Sequence, residues 1–165
     1  MAEGIQMMLC DAAGWLRGDL RGANCAFHGV SSDSRQIGAE NLFVALIGER
    51  HDGHDHIAEA ERQGAAAALV SRFVEGSTLP QLIVPDTRAA LADLAAHWRR
   101  TIPALRVVGL TGSNGKTTTK EMLASILGEV GLTLATRGNF NNDIGLPLTM
   151  LRLEPCHRYA VLEMG

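Results

Sequence analysis

One short stretch of the chain, residues 109–119, constrains the fold more than any other. It reads Gly-Leu-Thr-Gly-Ser-Asn-Gly-Lys-Thr-Thr-Thr and directly follows the apolar pair Val107 and Val108. Beyond it, apolar residues recur at the spacing of one helical face, at Met122, Leu123, Ile126, Leu127 and Val130. The pattern predicts a strand, a glycine-rich turn and a helix in succession.

A turn of this kind suits the binding of a triphosphate, and we call residues 109–119 the phosphate loop. Its glycines let successive backbone N–H groups converge on phosphate oxygens at the N-terminus of a helix. Lys116 adds a mobile positive charge, and the Thr117 hydroxyl can hold Mg²⁺. The common phosphate-loop pattern has glycine where Leu110 stands, so this loop is a variant. A purely structural turn is the alternative, but three threonines in a row favour phosphate binding.

Composition restricts the kind of protein. Hydrophobic residues make up 46% of the 165 residues, which is ample for a core, and the net charge of -3 argues against a nucleic-acid surface. Cys10, Cys25 and Cys156 are odd in number and far apart, so we expect free thiols in a reducing compartment. The N-terminus has no basic cluster and no long apolar run. We therefore expect no secretory signal, no membrane span and a cytoplasmic location.

Strand-like and helix-like segments alternate along the chain. Strands are predicted at residues 25–30, 41–47, 66–70, 82–84, 106–110, 132–135 and 159–162, and helices at 5–16, 57–63 and 117–130. A further helix begins at the capping residue Asp86, and Leu91, Leu94, Ala95 and Trp98 share its apolar face. The alternation predicts an α/β fold: a small N-terminal α/β domain, then the start of an α/β domain that contains the phosphate loop.

Two polar loops precede that second domain. Residues 31–35 read Ser-Ser-Asp-Ser-Arg, which by composition is a solvated turn carrying one guanidinium. Residues 49–56 contain three histidines, but their spacing fits neither a helical pair of zinc ligands nor a finger, and no cysteine is near. We expect no metal there, and we expect Asp55 to cap the helix that follows.

An amide-rich segment, residues 139–145, follows the predicted strand at 132–135. Open α/β sheets bind ligands at the carboxyl ends of their strands, so Asn139, Asn141 and Asn142 lie where a ligand could be contacted. From the residues alone, an ordinary asparagine-rich loop is equally good. Glu163 ends an apolar strand, and a single carboxylate there is either a solvated rim residue or a Mg²⁺ ligand.

The motif Gly-Ser-Asn-Gly-Lys-Thr-Thr resembles the ATP loop of the Mur ligases, the ATP-dependent amide-forming enzymes of cell-wall peptide synthesis. Three further segments are similar to the members that add D-Ala-D-Ala to UDP-muramoyl tripeptide. They are Thr-Lys-Glu-Met at 119–122, Thr-Arg-Gly-Asn-Phe-Asn-Asn-Asp-Ile-Gly-Leu-Pro-Leu-Thr-Met at 136–150 and Val-Leu-Glu-Met-Gly at 161–165. The resemblance covers essentially the whole chain.

The resemblance implies a set of functional residues. ATP is contacted by Gly112, Ser113, Asn114, Gly115, Lys116, Thr117 and Thr118. Lys116 is the catalytic residue, and Thr117 and Glu163 bind Mg²⁺. The substrate is bound by Ser34, Arg35, Asn139, Asn141 and Asn142.

The resemblance also implies a division of the chain and a reaction. Residues 1–85 form a UDP-substrate domain, 86–103 a connecting helix, and 104–165 the first part of the ATP-binding domain. ATP activates UDP-MurNAc-tripeptide as an acyl phosphate, and the amine of D-Ala-D-Ala then displaces phosphate. We expect a monomer.

Three alternatives belong to other activities. A MurE-type ligase would add the third peptide residue, but the segments at 119–121 and 138–142 argue against it. A non-catalytic regulator that binds a UDP-sugar peptide conflicts with the presence of Lys116, Thr117 and Glu163. A generic P-loop ATPase or kinase is disfavoured because the glycine spacing of the phosphate loop is not the common one and because the chain has no strongly basic segment.

The chain ends at Gly165, just after a predicted strand, so we expect it to be a fragment of a longer protein. In the family, later residues supply a modified lysine, a histidine metal ligand, an adenine pocket and the domain that binds the amine. We predict that these 165 residues alone form no amide bond. Dipeptide incorporation assayed on the purified chain tests this, and measurable product would contradict it.

Overall fold

The computed structural model describes residues 4–165. They divide into two compact units, the first ending at Leu94 and the second comprising Ala95–Gly165. Within these residues, no helix is long and apolar enough to cross a membrane. All three cysteines are free thiols, as predicted.

A five-stranded sheet forms the centre of the first unit. Its strands are β2 (Asp19–Arg21), β4 (Val30–Ser31), β5 (Leu42–Val44), β6 (Ala67–Val70) and β7 (Gln81–Ile83). Their order is β2-β7-β6-β5-β4; β4 to β7 run parallel, and β2 is an antiparallel edge strand. A separate antiparallel pair joins β1 (Gln6–Met8) to β3 (Ala26–His28). The mixed strand directions and the helices give the α/β fold that the sequence predicts.

The helices of this unit cover the sheet with small and branched apolar side chains. They are α1 (Leu9–Leu16), a 3-10 turn at Gly53–His56 that continues into α2 (Ile57–Arg62), and the first part of α3 (Thr87–Arg100). Every residue of β6 is buried, as expected for a parallel strand covered on both faces. One buried cluster combines α2 with the sheet and the neighbouring loops through Ile37, Phe43, Ala45, Ile57, Ala60, Ala65, Ala68 and Val70.

Helix α3 begins as predicted. The Asp86 carboxylate accepts the backbone N–H groups of Arg88 at 2.8 Å and Ala89 at 3.1 Å, which satisfies two donors of the first turn. The predicted apolar face is buried at Leu91, Leu94, Ala95 and Trp98. Trp98 is therefore a core residue, and its indole N–H donates to the carbonyl of Leu153 at 2.9 Å.

The second unit contains a three-stranded parallel sheet. Its strands are β8 (Arg106–Leu110), β9 (Thr133–Ala135) and β10 (Tyr159–Glu163), with β10 in the centre. Helix α4 (Lys116–Gly128) connects β8 to β9, and α5 (Gly145–Met150) lies between β9 and β10 in the chain. Because the strands are parallel, the segments that follow β8, β9 and β10 all leave from one edge of the sheet.

The predictions differ from the structure where tertiary pairing overrides local pattern. Residues 6–8, assigned to a helix, form β1 because they pair with β3. The strand predicted at 41–47 stops at Val44, and residues 45–52 turn away as a loop. Strand β2 and helix α5 were not predicted, because three and six residues are too short to show a period.

A close backbone approach in the first unit gives a stability prediction. A Cβ atom at Gly53 would lie 2.7 Å from the Leu46 nitrogen and 2.8 Å from the Ala45 Cα, both backbone atoms. We expect Gly53→Ala to lower the free energy of unfolding by about 1–3 kcal/mol, because the loop must shift. Gly14→Ala is the control: it lies in α1 with nothing within 4 Å and should stabilise by about 0.5–1 kcal/mol. Urea unfolding measures both, and equal stability of Gly53→Ala and the wild type would contradict the expectation.

Candidate functional site

The phosphate loop leaves β8 and enters α4 as predicted. Gly112 has φ 141° and Gly115 has φ 74°, conformations that residues with a side chain rarely adopt. Leu110, by contrast, is the last residue of β8 and pairs with Glu163 of β10. The variant pattern is explained, because the position that differs belongs to the strand and not to the turn.

Lys116 lies over the turn. Its ammonium donates a hydrogen bond to the carbonyl of Gly112. The first helical hydrogen bond of α4 runs from the Thr119 N–H to the Gly115 carbonyl at 2.9 Å. Ser113, Asn114 and Thr118 are exposed beside it. The loop therefore presents exposed donors and one lysine on a flexible stem at the start of a helix.

The Glu163 carboxylate is the centre of the second unit's polar site. It is 5% exposed, although the sequence left open a solvated rim residue. Its Oε2 accepts the Thr117 hydroxyl at 3.1 Å, and its Oε1 accepts the Asn141 side-chain N–H at 3.4 Å. Its backbone N–H donates to the Thr136 hydroxyl at 3.0 Å. Three of the predicted site residues, Thr117, Asn141 and Glu163, thus meet.

The structure adds a residue that the sequence reasoning did not assign to the site. Lys120 is 1% exposed, and its ammonium lies 3.9 Å from Glu163 Oε2 and 3.0 Å from Glu121 Oε1. The spacing of the two lysines could have indicated that Lys120 lies near the site. Lys120 follows Lys116 by four residues, and residues four apart lie on the same face of a helix. The sequence could not show that Lys120 is buried.

The other two asparagines of the amide-rich loop have different environments. The Asn142 side-chain oxygen accepts N–H groups from Ile144 at 3.3 Å and Gly145 at 2.7 Å, so it shapes the chain that enters α5. Asn139 is exposed in the same loop. Of the three, Asn141 is the one that contacts Glu163.

In the first unit, Ser34 and Arg35 line a cleft of about 910 Å³. Ser34 is buried and Arg35 is exposed. The Asp33 carboxylate, which the sequence reasoning did not select, pairs with the guanidinium through two contacts of 2.9 Å. Hydrogen bonds from the Arg35 side chain, and then from its backbone N–H, hold the pKa of Asp33 below its usual value. Arg35 is therefore held beside the cleft by its neighbour two residues earlier.

Residues in and around the 3-10 turn also line this cleft. Here the predicted cap at Asp55 is wrong, because α2 begins after His56 and has no side-chain cap. Asp52 instead caps the preceding 3-10 turn by accepting the backbone N–H of His54 at 2.9 Å. The buried His54 ring also contacts Asp52 Oδ1 through Nδ1 at 2.5 Å, and its Nε2 accepts the Ser71 N–H at 2.9 Å. Both ring nitrogens thus have protein partners, and His54 fixes the loop.

One group among residues 4–165 has metal-ligating atoms close together, namely Glu154, Cys156 and His157, within 4.8 Å of one another. The His157 Nδ1 accepts the Glu154 backbone N–H at 3.0 Å. In the neutral ring the proton is then on Nε2, so neither nitrogen offers a free lone pair. This hydrogen bond argues for a structural role.

Comparisons with known proteins match both the segment that contains the cleft and the segment that contains the phosphate loop. The family model described as Mur ligase family, catalytic domain, matches residues 26–99, and that of the Mur ligase middle domain matches residues 110–165. An Escherichia coli K12 protein named UDP-N-acetylmuramoyl-tripeptide--D-alanyl-D-alanine ligase is 52% identical over 161 residues, which are 98% of this chain and 35% of the relative. The chain belongs to the Mur ligase family.

Other similar proteins carry this name or the name MurF. A Bacillus subtilis relative of this Mur ligase chain is 45% identical over 140 residues, covering 84% of the chain and 30% of the relative. The crystal structure of MurF from Acinetobacter baumannii matches 99% of the chain with a TM-score of 0.92 and 39% identity, over 36% of its own length. MurF ligase from Thermotoga maritima in complex with ADP matches 82% of the chain with a TM-score of 0.70 and 38% identity, over 31% of its length. The chain thus spans about a third of the length of these relatives.

The Asp52 contacts predict a pH-dependent stability. The His54 N–H, with Arg72 and the His54 ring, holds the pKa of Asp52 well below its usual range, against the opposing effect of burial. A lowered pKa in the folded state contributes stability above the ordinary aspartate pKa, and this stability is lost as the pH falls through that value and below it. Asp52→Asn should lower the free energy of unfolding by about 1 kcal/mol at pH 7, and the difference should shrink below about pH 4.

The exposed Asp55 provides the matched control for this measurement. Asp55→Asn should leave stability within about 0.5 kcal/mol at either pH, because it is a surface change outside the network. Urea unfolding at pH 7 and at pH 3 to 4 compares the two variants. A constant difference between Asp52→Asn and the wild type over this range would contradict the assigned cause.

Proposed function

We propose that this protein is an ATP-dependent amide ligase of peptidoglycan precursor synthesis, which joins D-Ala-D-Ala to UDP-MurNAc-tripeptide. The observation that carries the proposal is the meeting of Thr117, Asn141 and Glu163 beside the phosphate loop. It is supported by the 52% identity to a relative named for this reaction.

Successive segments of the chain have different proposed roles. Residues 1–85 bind the UDP substrate, 86–103 form a connecting helix, and 104–165 are the first part of the ATP-binding domain. The cleft of the first unit would hold the UDP part of the substrate, with Ser34 and Arg35 as contacts. Because Arg35 is paired with Asp33, its guanidinium is held in one orientation before an anionic ligand arrives.

The phosphate loop is the proposed ATP site. Backbone N–H groups of its glycine-rich part would bind the phosphates, with contacts at Gly112, Ser113, Asn114, Gly115, Lys116, Thr117 and Thr118. In the structure Lys116 donates to the Gly112 carbonyl, so binding of the nucleotide would exchange that carbonyl for a phosphate oxygen. The exchange needs only rotations of the lysine side chain.

The donors beside the loop suit Mg²⁺. A hydroxyl from Thr117 and a carboxylate from Glu163 lie together, and Mg²⁺ prefers oxygen ligands of this kind. Thr117 and Glu163 would hold the ion. When bound there, Mg²⁺ would neutralise charge on the phosphates. The chain's own part is to keep the two oxygens adjacent before the ion binds.

The proposed reaction has two displacement steps. The terminal carboxylate of the tripeptide attacks the γ-phosphorus of ATP, and ADP leaves, which gives an acyl phosphate. The amine of D-Ala-D-Ala then attacks the acyl carbon, phosphate leaves and the nitrogen loses a proton. Both steps bring anions together, so Lys116 and the loop N–H groups would act by aligning the reactants and stabilising negative charge.

The amide-rich loop would complete the substrate contacts. Asn139, Asn141 and Asn142 carry groups that can donate to or accept from phosphate, sugar or peptide without adding charge. Since ATP is consumed and the cysteines are free, we place the protein in the cytoplasm, and we propose that it acts as a monomer.

The proposal is tested by phosphate release from the product of the complete reading frame, supplied with ATP and Mg²⁺. One reaction contains UDP-MurNAc-tripeptide and D-Ala-D-Ala; the other contains the dipeptide precursor with free diamino acid or lysine. We expect release only in the first reaction. Lys116→Met should lower the rate by about 100-fold or more, because it removes a charge that the transition state needs.

Each alternative outcome has a defined meaning. Release only in the second reaction would replace the proposed activity with that of a MurE-type ligase. If neither reaction releases phosphate although the protein is folded and binds the UDP substrate, the proposed activity is wrong and the protein is the non-catalytic regulator. Phosphate release that persists unchanged in Lys116→Met would contradict the role given to that lysine.

A further inference from the structure

Lys120 is a buried cation that has no direct part in the proposed reaction. It is 1% exposed, and its closest carboxylates are Glu121 at 3.0 Å and Glu163 at 3.9 Å. A lysine ammonium is rarely taken out of water unless a negative charge compensates. Glu121 is largely exposed, with 68% of its side chain accessible, so water screens its charge. The buried counter-charge is Glu163.

Lys120 is not needed to hold Glu163 in place. The glutamate ends the central strand, its backbone N–H donates to Thr136, and its two carboxylate oxygens accept from Thr117 and Asn141. Each of these contacts is shorter than the 3.9 Å between the two charged groups. What Lys120 adds to the site is therefore positive charge in a region from which water is excluded.

That charge opposes a divalent cation that arrives alone. The ion would approach Glu163 with the Lys120 ammonium already beside the same carboxylate and with Lys116 one helical turn away. The same ion bound to a nucleoside triphosphate arrives as a complex with net negative charge, which both lysines attract. The sign of the interaction thus depends on whether the phosphates are present.

We propose that Lys120 makes the Glu163 site take up its divalent cation together with the nucleotide and not alone. The inference rests on the proposed function, because it takes Thr117 and Glu163 as the cation's ligands. Lys120 does not touch the reacting atoms; it is a positioning residue that acts on the cation through the Glu163 carboxylate.

The test measures binding, with the protein from the complete reading frame. Mn²⁺ alone is titrated and followed by electron paramagnetic resonance, and the preformed complex of Mn²⁺ with the non-hydrolysable analogue AMP-PNP is titrated by calorimetry. In Lys120→Met, Mn²⁺ alone should bind about tenfold more tightly, and the Mn²⁺–AMP-PNP complex about three- to tenfold more weakly. A damaged fold would weaken the binding of both Mn²⁺ and the Mn²⁺–AMP-PNP complex. Affinities that change in opposite directions therefore identify the effect of the charge.

Three further variants complete the experiment. Lys120→Gln is a second neutral variant that retains hydrogen-bonding groups, and the same opposite shifts are expected from it if Lys120→Met is unstable. Lys120→Arg keeps the positive charge, so it should not show the opposite shifts expected from the neutral variants; any effect of its larger side chain should change both affinities in the same direction. Glu121→Gln removes the exposed partner and should likewise change each by less than about threefold.

The outcomes separate this inference from the proposed function. If the wild type binds no Mn²⁺–AMP-PNP, the nucleotide site is overturned, and this inference with it. If the wild type binds the complex but the neutral variants bind Mn²⁺ alone no more tightly than it does, the inference alone is overturned. Opposite shifts in the neutral variants, absent in Lys120→Arg, would establish it.

Discussion

The buried carboxylate of Glu163 is the interaction on which the second unit's polar site depends. A negative charge in a region of low dielectric needs hydrogen bonds and a counter-charge. Here they come from two separate parts of the chain, the start of α4 and the loop after β9. Thr136, directly after β9, holds the same residue by accepting its backbone N–H. Parallel strands make this possible, because the segments that follow them leave from the same edge of the sheet. Residues far apart in sequence therefore meet at one carboxylate.

The first unit uses the buried side chain of His54 in a comparable way. The His54 ring accepts the N–H of Ser71, which follows β6, and contacts Asp52, which lies on the segment after β5. Two loops that leave adjacent parallel strands are thereby joined. The backbone of Gly53 also lies close to Ala45 and Leu46, and its N–H donates to the Leu46 carbonyl at 2.8 Å. These contacts fix a segment from which His51, Gly53, Asp55 and His56 line the cleft together with Ser34 and Arg35.

The sequence was sufficient for features that depend on local pattern. The pattern of residues 106–130 predicts strand β8, the glycine turn and the helix after it. The cap at Asp86 is predicted by that residue together with the apolar face of the helix that follows it. It was insufficient where partners are distant. Residues 6–8 have helical spacing but pair with β3, and β2 is too short to show a period. The cap predicted at Asp55 is absent because a 3-10 turn, capped by Asp52, precedes α2, and the sequence pattern did not indicate that turn.

The same distinction applies to the candidate site. The positions of Asn141 and Glu163 at the carboxyl ends of strands were expected from the sequence. The burial of Glu163 and Lys120 was not, because burial depends on what packs around each side chain. The roles of the predicted ATP-, metal- and substrate-binding residues remain predictions. Asn142 illustrates the difficulty, since its side-chain oxygen is already engaged in shaping the loop.

Lys116 and Lys120 show why position along a helix does not define a role. They lie one turn apart on α4, and sequence spacing treats them alike. Lys116 is at the first position of the helix, where its side chain can exchange the Gly112 carbonyl for another acceptor. Lys120 is one turn further in and enclosed, so its ammonium has the Glu163 carboxylate as its buried partner. The first charge can move to a ligand, whereas the second can influence a ligand only through the carboxylate that it faces.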